Sequence, residues 1–151
     1  MNGSNQLIIA ATLSFIAAFL HILIILGGAD WYRLFGAGER MAKLAESGSY
    51  LSTLITLMIS AVLCVWGLYA LSGAGVIFKL PLLKLVLCCI TLIYLLRGIA
   101  GLILPFVSNH PAITQNSVTF WVVSSVVCCI FGVFYLLGTF NSWSQMAGNG
   151  G

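Results

Sequence analysis

Residues 82–104 read LLKLVLCCITLIYLLRGIAGLIL, and only Lys84 and Arg97 in this run carry a charge. An α-helix needs about 20 predominantly apolar residues to cross the hydrocarbon core of a bilayer. The apolar residues do not alternate with polar ones, as they would in a strand of a membrane β-barrel. The run therefore predicts a membrane-spanning helix, and we expect Pro105 to end it because proline disrupts helical hydrogen bonding.

Three further runs have the same character, over residues 7–26, 51–71 and 118–140. The chain of 151 residues is 61% hydrophobic and only 6% charged, whereas about 25% of residues are charged in typical soluble domains. This composition excludes a soluble enzyme, a disordered chain and a basic surface for nucleic acid. We predict an all-α fold, a four-helix transmembrane bundle that forms one integral membrane domain over residues 1–151.

The four predicted spans place both chain ends on the same side of the membrane, which we call side A. The opposite side, side B, receives the connections over residues 27–50 and 106–117. Within the first of these, residues 39–46 form an amphipathic pattern, which predicts a short helix lying in the membrane interface between the first two spans. Lys and Arg are slightly more frequent in the side-B connections, so the positive-inside rule places side B in the cytoplasm.

Arg97 is the most unusual residue in the predicted spans. An arginine stays charged in a protein, and it costs about 2.5–3.5 kcal/mol at the centre of a membrane helix. Arg97 lies seven residues before Leu104, so roughly 10 Å from the side-B boundary at 1.5 Å per residue. We expect it to bind an external anion, or else to pair with one of the three carboxylates of the side-B connection: Asp30, Glu39 and Glu46.

Polar groups also lie in the side-B halves of the other spans. His21 follows a stripe of small residues that is typical of helix–helix contacts, so we expect it to face the bundle. These groups predict a polar cavity centred on Arg97 and His21 that opens to side B. The candidate ligand-binding residues are Arg97, His21, Tyr94, Thr56, Ser124 and Ser125. The candidate counter-charge or lid residues are Asp30, Glu39 and Trp31.

A purely structural interpretation of these polar residues stays open. Arg97 can extend its side chain to side B and fix the depth of its helix. Serine and threonine in membrane helices often bond only to their own backbone. A single histidine at a helix interface is more often a satisfied structural residue than a ligand.

A weak internal repeat relates the two halves of the chain. Residues 64–73 read CVWGLYALSG and residues 129–138 read CIFGVFYLLG, with Cys, aromatic, Gly, aromatic, Leu and Gly in step. Each preceding span carries Leu followed by a basic residue, at His21 and Arg97. The pattern favours two hairpins related in parallel, as in some small transporters. The alternative is that the similarity arises by chance, because both segments are built from only a few types of apolar residue.

Motifs of known chemistry are missing from the sequence. It contains no phosphate-binding loop, metalloprotease helix, nucleophile elbow or dinucleotide fingerprint. The five cysteines lie inside apolar runs, where we expect them to pack as small hydrophobic residues. No carboxylate lies inside a span, which argues against proton-driven antiport. We therefore expect no cofactor and no metal, assign no catalytic residue, and rank an enzyme last among the function classes.

Three stretches together resemble a family of small four-span bacterial membrane proteins. They are residues 27–42, GGADWYRLFGAGERMA, residues 94–98, YLLRG, and the segment from Phe120-Trp121 to Ser124-Ser125. The resemblance implies a multi-pass protein of the bacterial inner membrane. It supplies no activity and no catalytic residue.

Three functions remain open at this point. The first is a binding or accessory protein whose cavity takes an anionic lipid headgroup, a small anion or an acidic partner. The second is a small transporter or channel that works as a homo-oligomer, since four helices rarely enclose a pathway alone. The third is a structural subunit or inhibitor of a larger membrane complex, with Gly98 and Gly101 among its close-packing residues. The lipid bilayer is a partner in every case, and nucleic acid is a partner in none.

Overall fold

The computed structural model describes residues 2–148, and the side chains of these residues except at positions 112, 147 and 148. This part of the chain is helical and contains no strand. Its four long helices are α1 Gly3–Leu34, α3 Tyr50–Gly73, α4 Leu83–Val107 and α6 Val118–Asn141. The short helices are α2 Glu39–Glu46, α5 Pro111–Thr114 and α7 Gln145–Gly148. The predicted all-α fold, with a short helix between the first two spans, is confirmed.

The four long helices are apolar enough to cross a membrane. Their most apolar stretches have mean hydropathy values of 2.2 to 2.6. Large aliphatic and aromatic side chains cover their outer surfaces, and soluble monomers rarely expose apolar patches of that extent. The protein is a multi-pass integral membrane protein.

Helix α1 extends beyond the predicted span because Gly27 and Gly28 allow a sharp kink. Gly28 has φ +66° and ψ −154°, a backbone conformation that is open essentially only to glycine. A Cβ at Gly27 would overlap the ring of Trp31. Beyond the kink, the last residues of α1 return toward the bundle, and the Tyr32 hydroxyl lies 3.1 Å from Oγ1 of Thr56.

The expectation that Pro105 ends the third span is wrong. Helix α4 continues to Val107 with Pro105 inside it, and the amide of Ser108 still donates to the carbonyl of Leu104 at 3.0 Å. A proline removes one backbone donor and crowds the carbonyl four residues earlier. Pro105 lies only two residues before the end of α4. Few backbone hydrogen bonds are therefore lost, and the helix tolerates the proline.

The long helices pack as two hairpins. Helix α1 packs most closely against α3, and α4 packs most closely against α6. Helices α1 and α6 join the hairpins, whereas α3 and α4 contact each other least among these four pairs. The bundle is therefore loose along one edge, between α3 and α4.

The small residues of the spans are used inside the bundle. Ala10, Ser14 and Ala18 of α1 are buried. A Cβ at Gly98 of α4 would meet the sulfur and the backbone of Cys129 in α6. Close helix packing through small residues is typical of membrane proteins, and here it joins the protein's own helices.

Candidate functional site

The side chain of Arg97 is half-buried between α4 and α6. Its Nη1 donates to Ser125 Oγ at 3.4 Å and its Nη2 donates to Ser124 Oγ at 3.3 Å. The guanidinium carbon lies 4.7 Å from the centroid of the Trp121 ring, a cation–π distance. Gly101 leaves room for the guanidinium, because a Cβ there would overlap Nη1 and the Ser125 hydroxyl.

The guanidinium of Arg97 reaches toward side B. Gly101 lies one turn closer to side B on α4, and Trp121 is only three residues after the start of α6. Side chains on a helix normally lean toward its N-terminus, which for α4 is side A. Arg97 leans the other way and brings its charge roughly 5–10 Å below the start of α6, at 1.5 Å per residue.

Trp121 is held in place from the other side. Its indole N–H donates to the carbonyl of Ile113 in α5 at 2.9 Å, which ties the first turn of α6 to α5. The ring over Arg97 is therefore anchored to α5 in the side-B connection rather than free to face the lipid.

The carboxylates of the side-B connection bind Arg33 and not Arg97. Arg33 Nε donates to Glu39 at 2.9 Å, and Arg33 Nη1 lies 2.8 Å from Glu46 and 3.6 Å from Asp30. We call these four residues the Arg33 clasp. Hydrogen bonds from Arg33 hold the pKa of Glu39 below its ordinary value.

The clasp corrects the expectation that Asp30 or Glu39 neutralises Arg97. The Gly28 kink returns the end of α1 to the start of α2, and α2 packs against α1 and α3 rather than α4. All three acidic side chains of the chain lie in the clasp. Within residues 2–148, no carboxylate lies within salt-bridge distance of Arg97.

Three other candidates lie apart from the Arg97 guanidinium. His21 Nδ1 lies 2.7 Å from the carbonyl of Ala17 on its own helix. Thr56 donates to the carbonyl of Ser52 at 2.8 Å and is the partner of the Tyr32 hydroxyl. The ring of Trp31 packs over Gly27 and lies beside Phe35. Its centroid is 5.7 Å from that of Phe35.

The separation of His21 from Arg97 has a simple cause. Helices α1 and α4 occupy opposite corners of the bundle, because α1 packs on α3 and α6 while α4 packs on α6 and α3. Although the two side chains lie at similar depth, the bonds of His21 and Arg97 go to Ala17 and to the serines of α6 and not to each other. The predicted cavity centred on both residues is not what the structure shows.

Tyr94 lies one turn before Arg97, in a cluster of aromatic rings. Its ring centroid is 5.0 Å from that of Trp66, 5.3 Å from that of Phe131 and 5.6 Å from that of Tyr135. The Tyr94 hydroxyl is buried and makes no hydrogen bond within the described residues. The Ser14 side chain also interacts with the Tyr94 hydroxyl. Its hydrogen-bond partner, however, is the Tyr135 hydroxyl, at 2.9 Å.

An apolar groove runs between α3 and α4, where the two hairpins pack loosely. It encloses about 510 Å³. Its rim is open to the lipid, since Met58, Val62 and Ile93 are 61%, 42% and 49% exposed. Arg97 is the one charged residue among those that line it, and it presents the apolar part of its side chain to the groove while its guanidinium contacts α6. Sequence reasoning missed this groove, because loose contact between two apolar helices leaves no pattern in either.

Comparisons with protein-family models, with curated proteins and with solved structures found no match for this chain. The resemblance to small four-span bacterial membrane proteins therefore stays a prediction. Function has to be argued from the site itself, meaning the geometry and charge around Arg97.

Proposed function

We propose that this protein binds the anionic group of a membrane lipid or a small anion at Arg97, from side B of the membrane. One observation carries the proposal. A half-buried guanidinium lies inside a bundle of membrane-spanning helices, and the described residues give it two serine hydroxyls and a tryptophan ring but no carboxylate.

The chemistry of the guanidinium favours an anionic ligand. Arginine offers five N–H donors in a rigid fork that matches a phosphate or carboxylate. The two bonds that Arg97 makes, at 3.3 and 3.4 Å, are long for hydrogen bonds, and their acceptors are neutral. A phosphate or carboxylate acceptor would add the attraction between opposite charges, and such bonds are shorter and can be bidentate. An anion at this position would therefore relieve the cost of the uncompensated charge.

The setting also suits such a ligand. We propose that the protein lies in a bacterial inner membrane with side B in the cytoplasm, where anionic lipids attract basic residues next to the membrane. Arg40 and Lys43 lie exposed on α2 at this side, and they would raise the local concentration of anionic headgroups near the groove.

The described part of the fold supports the two alternative functions less directly than it supports anion binding. The small residues that could contact another membrane protein are buried between the protein's own helices, as described for Ala10, Ser14, Ala18 and Gly98. The groove beside Arg97 opens sideways to lipid, and its exposed lining is apolar, so it does not form a polar path through the bundle.

The test is native mass spectrometry of the protein released from mild detergent. We expect wild type to retain an anionic lipid and Arg97→Leu to lose it by a factor of about ten or more, equivalent to about 1.4 kcal/mol. Arg97→Lys, which keeps the charge but not the fork, should fall between them. Lys79→Leu is the control, since it removes an exposed cation from the connection between α3 and α4 on side A and should retain the lipid.

Equal lipid retention by wild type and Arg97→Leu would contradict the proposal. Circular dichroism of each variant shows whether the helices persist, and Arg97→Lys supplies the comparison if Arg97→Leu does not fold.

A further inference from the structure

We infer that the ligand of Arg97 is a whole anionic lipid, and that one of its aliphatic chains lies in the groove between α3 and α4. This inference rests on the proposed function of Arg97 as an anion site. It adds the chemical class of the ligand and the route of access, which is sideways from the side-B leaflet.

The size and shape of the groove fit an aliphatic chain. Its volume of about 510 Å³ falls within the range of roughly 300–1,000 Å³ that is usual for small-molecule sites. Along α3 it extends from Met58 to Trp66, which is about 12 Å at 1.5 Å per residue. The groove thus follows the axis of α3 for more than two helical turns.

The chemistry of the lining separates a lipid from a free anion. The exposed surface of the groove is apolar throughout. Trp66 packs edge-on against Tyr94 at its deeper end, with ring centroids 5.0 Å apart and planes at 76°. An inorganic anion would use Arg97 and the serine hydroxyls but would leave the apolar groove without a matching ligand. An aliphatic chain joined to an anionic group matches both.

The direction of the site matches the direction of a lipid in the side-B leaflet. The Arg97 guanidinium reaches toward side B, as its contacts with Gly101 and Trp121 show. The groove lies deeper, because Met58 is eight and Trp66 sixteen residues after the side-B start of α3. A lipid with its headgroup at Arg97 would therefore direct its chain toward the bilayer midplane, as it does in the membrane.

The open rim of the groove provides access. Met58, Val62 and Ile93 are all between 42% and 61% exposed on the lipid-facing surface. A lipid can therefore enter by lateral diffusion, without passing through the side-B connections.

Two valines of α3 give a matched test. Val62 lines the groove and is 42% exposed, whereas Val65 lies outside it and is 48% exposed. The protein is reconstituted in nanodiscs that contain equal amounts of phosphatidylglycerol and phosphatidylcholine with identical chains, and the lipids retained after release are counted by native mass spectrometry. We expect Val62→Trp, which fills the groove, to lower phosphatidylglycerol retention about fivefold or more, and Val65→Trp to leave it unchanged.

If Val62→Trp retained as much phosphatidylglycerol as wild type does, the inference would be overturned. Retention of the two lipids in equal amounts by wild type would also overturn it, since the site would then not recognise the anionic group.

A second measurement separates the groove from Arg97. Thermal unfolding is followed with inorganic phosphate and with dodecyl phosphate, which share one anionic group but differ in the chain. We expect dodecyl phosphate to stabilise wild type at a concentration about a hundredfold lower, and Val62→Trp to remove that advantage. If both probes stabilise wild type equally, the groove has no role and the anion site stands. If neither probe stabilises wild type more than Arg97→Leu, the proposed function itself fails.

Discussion

Arg33 and Arg97 are two arginines of one chain in opposite electrostatic situations. Arg33 lies at the side-B surface and binds all three acidic side chains of the protein. Arg97 lies within the spans, and among the described residues its guanidinium contacts two hydroxyls and an indole ring. The exposed charge is surrounded by counter-charges, while the half-buried charge has none among the described residues.

This difference separates a structural role from a binding role. The Arg33 clasp joins the end of α1 to α2, and its three carboxylates neutralise the guanidinium. Arg97 keeps donors that neutral neighbours satisfy poorly, beside a groove that is open to lipid. We therefore expect changes at the clasp to alter local structure, and changes at Arg97 to alter ligand binding.

The largest expected effect comes from Gly101→Ala, which breaks the site without removing its charge. The new Cβ would overlap Arg97 Nη1 and Ser125 Oγ, so the guanidinium must leave its position. We expect anionic lipid retention to fall about tenfold, as measured by native mass spectrometry. Ala100→Leu, on the exposed face of the same turn, is the control and should retain the lipid. Unchanged retention by Gly101→Ala would show that the present guanidinium position is not the binding position.

A second change, Arg33→Met, breaks the clasp and should leave the Arg97 site intact. Removing the one cation leaves Asp30, Glu39 and Glu46 to repel one another. We expect hydrogen exchange in residues 35–49 to accelerate only severalfold, because exposed ion pairs contribute little stability. Lipid retention should not change. Arg40→Met is the matched control, and loss of the lipid in Arg33→Met would contradict the separation of the two sites.

Lowering the pH should also weaken the Arg33 clasp, but less than Arg33→Met does. Arg33 holds the pKa of Glu39 below 4.5 in the folded protein. Because this pKa is lower than in the unfolded chain, the stabilisation is fully present above pH 4.5 and is lost as the pH falls through the folded pKa. We expect exchange in α2, corrected for its intrinsic pH dependence, to rise only below pH 4.5. If acidification raised the exchange rate of α2 equally in Arg33→Met, groups other than the Arg33–Glu39 pair would be responsible.

The smallest expected effect comes from Tyr32→Phe, at the buried contact beneath the clasp. Thr56 gives its hydroxyl proton to Ser52, so Tyr32 must be the donor of the 3.1 Å bond to Thr56. Its loss should lower the free energy of unfolding by about 1 kcal/mol, measured by titration with a denaturing detergent. Tyr50→Phe, whose side chain is exposed, should have no effect. A change of similar size in both variants would argue against the hydrogen bond.

Much of the fold could be predicted from the sequence, because the bilayer requires long apolar helices. The amphipathic pattern of residues 39–46 likewise gives the bounds of α2 as the structure has them. Other features depend on backbone detail. The kink at Gly28 and the tolerated proline at Pro105 follow from local conformations that composition does not specify.

The site could be predicted only in part. Depth along the membrane normal can be counted from residue numbers, and it correctly places Ser124 and Ser125 level with Arg97. The corner of the bundle that a side chain occupies cannot be counted in this way. For that reason the sequence did not show that Glu39 lies beside Arg33, or that His21 and Arg97 lie on opposite helices.

The most direct test supplies Arg97 with the carboxylate it lacks. Ser124 Oγ is 3.3 Å from Arg97 Nη2, so Ser124→Asp places an anion next to the guanidinium. The measurement is the midpoint of thermal unfolding in zwitterionic detergent, with and without added phosphatidylglycerol. We predict that the lipid raises the midpoint of wild type, and that Ser124→Asp has a raised midpoint without lipid and no further response to it. If Ser124→Asp still responded to the lipid as wild type does, Arg97 would not be the site at which an uncompensated positive charge binds the anionic group.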